Sequence, residues 1–474
     1  MAKVINGLFL FHRDLRIYDN VGLREASKDC YKLYTAFIFT PEQVSKANPF
    51  KSTNSIQFMI ESLESLVHQI SSHEGNLILM YGPTTSMIKH LLQTLDIQCL
   101  YFNRDYTPYA IKRDQSLKDL CAKLGIGCKM FEDYYVREPG TIRNQSDGFF
   151  HKFTPFYEKM ISADEFSKIA KVSNSSSIPK NFAKKSSSAK LDHLVTLAEI
   201  EDRFIKKKSP DILVKGGREA GLKQLHIALK TLNHYGETRD IMSLDTSHLS
   251  AYLKYGCVSI REAFWGFYKK YGKNNEFLRQ LIWRDFFAHI LFGYPKTLTE
   301  MHSPKFDDIK WSKNEKWLHA WKMGKTGFPA VDASMRQLNA TGYMHNRGRM
   351  LVANFLVKVL LLDWREGEKY FAQLLVDYDV ASNSGNWQAI VGGGVYASAW
   401  FRTMSPWIQS AKFDHESLFV KTWILELRDV PARDIHKWNL VCDKPEYKDH
   451  AYPKPICDFT KQGEKMMQLY RKGT

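Results

Sequence analysis

Long apolar runs and paired cysteines are both missing from this 474-residue chain. No stretch approaches the roughly eighteen uninterrupted apolar residues of a membrane-crossing helix, so no membrane partner is expected. The seven cysteines (Cys30, Cys99, Cys121, Cys128, Cys257, Cys442, Cys457) contain no CxxC pair and are odd in number. That excludes a disulfide framework, and no metal is expected. No GxGxxG follows the first apolar run, so the standard dinucleotide fingerprint is absent. The opening Met1-Ala-Lys-Val-Ile-Asn-Gly lacks a leader pattern, which sets the expectation of a soluble intracellular protein, nucleus or cytoplasm left open. Tryptophan is absent before residue 265. Negative charge is also scarce: 51 Asp and Glu face 67 Lys and Arg, a formal charge of +16. Such a balance favours a polyanionic partner, because cations displace counterions from phosphates. A basic protein kept soluble by its charge is the plainer alternative, and charge alone does not choose.

What is present alternates. Apolar runs at residues 7–11, 32–39, 76–81, 99–102 and 128–131 read as strands, and segments 55–70 and 84–95 carry helical spacing. That rhythm predicts an α/β fold, a parallel sheet wrapped by helices. From about 162 to 215 the chain turns rich in serine and lysine, as at Ser173-Asn-Ser-Ser-Ser and Lys184-Lys-Ser-Ser-Ser, and reads as a linker. Lys206-Lys-Lys within it reads as a solvated charge run, with a nuclear-import patch as the alternative. Beyond 216 the texture is helical, and all eleven tryptophans lie there. The expected organisation is an α/β domain over 1–135, a linker over 136–215 and a larger all-helical domain over 216–474. Residues 350–362 should form a buried helix with its two polar residues, Asn354 and Lys358, on one face.

Two motifs suggest chemistry. In Asp245-Thr-Ser-His-Leu-Ser, three capping residues precede a helical pattern, so an ordinary N-cap or a phosphate-facing helix start both fit. In Asp377-Tyr-Asp-Val-Ala-Ser-Asn-Ser-Gly-Asn-Trp-Gln, two carboxylates, an asparagine and a tryptophan crowd an apolar domain. Aspartates are seldom buried unpaired, and Arg349 is the natural partner. The pair could be structural, or it could set a polar edge against an aromatic cofactor.

Phe11-His-Arg-Asp-Leu-Arg-Ile-Tyr-Asp-Asn, Trp283-Arg-Asp-Phe-Phe, Lys325-Thr-Gly-Phe-Pro-Ala-Val-Asp-Ala-Ser-Met-Arg-Gln-Leu, Gly342-Tyr-Met-His-Asn-Arg-Gly-Arg-Met and Asp363-Trp-Arg-Glu-Gly-Glu follow one another in order. With the Asp377 block, they resemble the photolyase and cryptochrome family over nearly the whole chain, most closely the class I cyclobutane-dimer photolyases. The resemblance implies FAD, active when reduced, in the helical domain. Tyr235, Thr246, Ser247, Leu249 and Ser250 match positions around its phosphates and ribityl chain; Asn346, Arg349, Asp377, Asp379 and Asn383 match those around its rings. Asn383 corresponds to the residue facing flavin N5, where a carboxamide can bond without titrating. Trp387, Trp364 and Trp311, 23 and 53 residues apart, match the family's electron-transfer chain.

The implied reaction is light-driven electron transfer from reduced FAD to a flipped-out pyrimidine dimer in ultraviolet-damaged DNA, a flip that costs less at a lesion. Arg239, Gln280, Trp283, Asn346, Arg347 and Met350 match positions on the DNA or lesion side. His345 followed by Asn346 resembles cyclobutane-dimer enzymes, whereas (6-4) photolyases carry a second histidine. Two departures stand out: Gln280 replaces a usual glutamate, and Ala389 replaces a second lesion-packing tryptophan. The alternatives are a (6-4) photolyase and a cryptochrome-type receptor without repair. Asn383 favours repair, since plant receptors carry aspartate there. The chain also stops near where the family core stops, and a monomer is expected. The family commonly adds an antenna chromophore. Asp105-Tyr-Thr-Pro-Tyr lacks the asparagine–glutamate pair that holds folate in some relatives, so its identity is left open.

Overall fold

The computed structural model describes residues 4–174, 178–184 and 191–473. Parts of both serine-rich stretches, 175–177 and 185–190, lie outside the described residues. The predicted sheet is present. Its strands are β1 (Val4–Phe11), β2 (Cys30–Phe39), β3 (Leu77–Tyr81), β4 (Cys99–Asn103) and β5 (Gly127–Phe131). All pair in parallel, in the order β3-β2-β1-β4-β5. Such a sheet needs cover on both faces, which is why its strands read as continuous apolar runs. The helices Val21–Asp29, Thr53–Ser71, Thr84–Thr94 and Pro108–Lys123 connect successive strands.

Among the described residues every regular element after residue 216 is helical. The expected linker over 136–215 is not purely irregular: it holds the helices Phe153–Met160, Ala163–Ser167 and Leu197–Phe204. The compact units interleave along the chain, where the sequence suggested a break near 216. One comprises Met1–Lys208, Val214–Asn233 and Ser247–Pro295; the other comprises Ser209–Leu213, His234–Thr246 and Lys296–Thr474.

Buried ion pairs tie Arg261 to the sheet within the first unit. In the first unit Arg16 meets Asp133 at 2.6 Å, while Arg261 meets Asp133 at 2.7 Å and Asp19 at 3.0 Å. All four side chains are at most 5 % exposed. Buried charges persist only when paired, so the helix Ile260–Tyr271 cannot leave the sheet without stranding Asp19, whereas Asp133 would keep Arg16. Most of the Phe11–Asn20 motif is thus spent inside the protein. Arg16 also donates to the Gly256 carbonyl, and Asp14 accepts from Asn103 and Asn20.

In the second unit the core surrounds the helix Asn346–Asn354 and its continuation, Phe355–Val359. The continuation is a π-helical turn where an ordinary helix was expected. Asn354 and Lys358 are buried, as the spacing suggested. Asn354 accepts from the Met404 N–H at 2.8 Å, and Lys358 donates to the carbonyls of Val391 and Trp400. Burial pulls the Lys358 ammonium down to about 7. No helix among the described residues is long and apolar enough to cross a membrane, and none of their side-chain clusters could hold a metal ion. Each of the seven cysteines is a free thiol.

Candidate active site

The helix Val380–Val391 begins at Asp379, whose side chain accepts the Ser382 N–H at 3.0 Å. Asn383 and Trp387 follow four residues apart, on one face. The Asn383 Nδ2 donates to the Glu368 Oε1 at 3.0 Å and to the Glu368 carbonyl at 3.2 Å. The Tyr378 hydroxyl donates to the same Oε1 at 3.1 Å. Glu368 is buried, and burial raises its carboxyl above the usual range, against the two hydrogen bonds that favour its charge. Glu368 escaped the sequence reading. Its signal was the spacing Trp364, Gly367, Glu368, Phe371, one buried face of the helix Trp364–Leu374. With its nitrogen engaged, the Asn383 amide is fixed, and Oδ1 remains as the acceptor for another group.

Asp377 pairs with Arg349, as expected, at 2.9 and 3.2 Å. Its side chain is 4 % exposed. Burial opposes the Arg349 charge, but Asp377 and Tyr343 together hold the guanidinium above its ordinary value. Arg349 Nε also donates to the Met344 carbonyl at 2.9 Å, which fixes the plane of the fork. Thr246 and Tyr343 share a hydroxyl–hydroxyl bond of 3.0 Å. Tyr235 opens the short helix Tyr235–Thr238, and Arg239 ends it. Arg347 pairs with Asp240 at 2.7 Å and lies over Phe413. Asn346 and Met350 are exposed one turn apart on the helix that His345 caps, with the Arg347 N–H on its Nδ1.

Trp387 and Trp364 are buried in one core, with Trp311 packed at its margin. Gly367 makes room for the first: a Cβ there would stand 2.1 Å from the Trp387 ring and 2.6 Å from Leu356. Trp321, which the sequence reading did not single out, lies 6.4 Å from Trp387, centroid to centroid.

The remaining expected residues lie in the first unit. Ser247, Leu249 and Ser250 lead into the helix Ser250–Lys254. The strong side-chain cap expected there is not formed, for the cap position falls to Leu249, whose apolar side chain cannot accept an N–H. Gln280 and Trp283 share the helix Glu276–Gly293, with Gln280 donating to Glu276 at 2.7 Å.

A flavin ring offers N–H and carbonyl groups along its edge. An oriented amide oxygen and a guanidinium held charged by a buried carboxylate suit such an edge. Asn383, Arg349 and Asp377 therefore offer groups whose chemistry fits FAD.

Comparison with known proteins agrees. Residues 7–173 match the family pattern described as DNA photolyase, and residues 277–472 match that of the FAD binding domain of DNA photolyase. A deoxyribodipyrimidine photo-lyase of Alkalihalophilus pseudofirmus is 31% identical, over 97% of each chain. The archaeal photolyase of Sulfolobus tokodaii, solved with two FAD molecules, is 36% identical with a TM-score of 0.84, over 99% of this chain and 100% of that one. A Synechocystis cryptochrome is 26% identical with a TM-score of 0.86, over 99% of this chain and 100% of that one. With these matches added to a site that suits an isoalloxazine, the chain belongs to the photolyase and cryptochrome family and carries FAD in its helical part.

Proposed function

We propose that the protein is a deoxyribodipyrimidine photo-lyase that repairs cyclobutane pyrimidine dimers in ultraviolet-damaged DNA, acting as an intracellular monomer. The observation that carries the reading is Asn383, an amide held by a buried glutamate. Asn383, Arg349 and Asp377 would hold FAD, which when bound and reduced would supply the light-driven electron chemistry of dimer splitting. Asn383 Oδ1 would be free to accept an N–H of the bound ring, which would favour the reduced form without adding charge. Arg349 and Asp377 present a guanidinium to the ring edge and neutralise it locally. Tyr235, Thr246, Ser247, Leu249, Ser250, Asn346 and Asp379 complete the cofactor's contacts. Trp311, Trp364 and Trp387 relay electrons inward to restore the reduced state. Arg239, Gln280, Trp283, Asn346, Arg347 and Met350 serve DNA and lesion, a role that the formal charge of +16 supports.

The working division is a sheet domain over 1–135, a connecting segment over 136–215 and a catalytic part over 216–474. The family patterns matched at 7–173 and 277–472 support two main parts, with the first pattern running past residue 135. The second FAD of the Sulfolobus relative supports a second chromophore here.

A receptor without repair is the rival reading, favoured by the likeness to the Synechocystis cryptochrome. Photorepair on photoreduced protein separates them. Blue light should restore bases in oligothymidylate carrying cyclobutane dimers, not in the dark, and not in a (6-4) photoproduct. Restoration of the (6-4) product alone would overturn the lesion assignment. Restoration of neither, with the flavin still photoreducing, would make the protein a receptor.

A further inference from the structure

Trp283 is half-buried on the helix Glu276–Gly293, and its indole lies flat against the ring of Phe153. The centroids are 3.6 Å apart and the planes 6° apart. Aromatic pairs left to themselves prefer offset or edge-on arrangements with centroids roughly 4.5–7 Å apart. A face-to-face contact at this distance is imposed by its surroundings. Phe286 stands edge-on to both rings, at 77° to Phe153 and 81° to Trp283. On the Phe153 helix, Tyr157 lies one turn on, 5.7 Å away and tilted 30°. The Arg279 guanidinium covers both, 5.0 Å from the Phe153 ring and 4.6 Å from Tyr157. Phe153 itself is 3 % exposed.

We infer that Phe153 is a positioning residue: it fixes the plane of Trp283 so that the indole meets a flipped-out pyrimidine dimer already oriented. The inference rests on the repair reading and deepens it. A half-exposed tryptophan free to change rotamer must be ordered each time a ligand stacks on it, whereas one held by a flat partner is ordered beforehand. Immobilising one such side chain weakens binding by about three- to tenfold. The ligand class comes from the repair reading: an unstacked lesion, whose face a fixed indole can cover.

The test uses FAD-loaded protein. Phe153→Leu keeps an apolar side chain of similar bulk but removes the flat ring; Phe153→Met does the same with a more flexible chain; Phe153→Tyr restores the ring. Each is made alone and with Trp283→Ala, and each is measured for affinity toward dimer-containing and undamaged oligothymidylate. The expected result is a dimer affinity about three- to tenfold weaker in the leucine and methionine variants, with affinity for undamaged DNA and the flavin spectrum unchanged. The tyrosine variant should recover most of the loss, and with Trp283→Ala present the loss should vanish. Folded leucine and methionine variants that bind the dimer as tightly as the parent would overturn the inference. So would an equal loss on undamaged DNA, or a loss that persists with Trp283→Ala. Failure of the parent protein to prefer dimer-containing DNA would instead sink the repair reading, and the inference with it.

Discussion

Asn383→Asp places a second carboxyl where the amide now donates to Glu368 at 3.0 Å. Two carboxylates at that distance repel by about 5 kcal/mol at an effective dielectric constant near 20. Keeping one proton is less costly. Holding a carboxyl of ordinary pKa, about 4.3, protonated at pH 7 requires roughly 3–4 kcal/mol. The variant should therefore fold with a proton shared between the two groups. The sign follows from linkage: a carboxyl whose native pKa is raised contributes stability at low pH and loses it as pH rises. Burial already raises Glu368 in the parent, so part of that dependence is common to both proteins. The difference in unfolding free energy should be near zero at pH 4–5. It should then grow by up to about 1.4 kcal/mol per pH unit toward pH 7, the slope of one extra bound proton. Urea unfolding of both proteins, FAD-loaded, at half-unit steps from pH 5 to 8 measures it. A difference independent of pH, or one that shrinks as pH rises, would refute the reasoning and place Glu368 elsewhere than beside this amide.

Gly367→Ala drives a methyl into the Trp387 ring, and overpacking of this kind typically costs about 1–3 kcal/mol; a lower melting temperature and slower blue-light photoreduction of FAD are the expected readings. Arg349→Ala strands Asp377, whose side chain is 4 % exposed, so about 3–5 kcal/mol of stability should go, and FAD should be lost on gel filtration. Ser417 is fully buried with φ of 54°, and only a 3.4 Å contact to His436 holds its hydroxyl on that side. Replacing it by glycine should raise stability by up to about 1 kcal/mol, since glycine takes that conformation without strain; a drop in melting temperature would contradict this.

The sheet was readable because each strand of a covered parallel sheet is apolar on both faces, and a run such as Leu8 to Phe11 admits few other meanings. The Arg349–Asp377 pair was readable because a carboxylate in an apolar domain demands a cation. Other features left weaker traces. The π turn at Phe355–Val359 adds a residue to one coil of a helix, and an almost wholly apolar segment has no polar edge to register the change. Glu368 sits in Trp364-Arg-Glu-Gly-Glu-Lys, where charge suggests a solvent face, and only its spacing from Trp364 and Phe371 hints at burial. At Leu249 the capping residues were present, but the cap position falls two residues beyond the last of them, Ser247.

The ion network of Arg16, Asp19, Asp133 and Arg261 has a consequence for synthesis. Its acidic members emerge from the ribosome early, but one of its two arginines follows more than a hundred residues later. Until then Asp19 lacks the partner that holds it at 3.0 Å, and a closed sheet would enclose an unpaired charge. The nascent sheet should therefore stay open, and within reach of proteases and chaperones, until the 260–271 helix has been made. A fragment ending at residue 216 should behave as the arrested form of that intermediate rather than as a small stable domain.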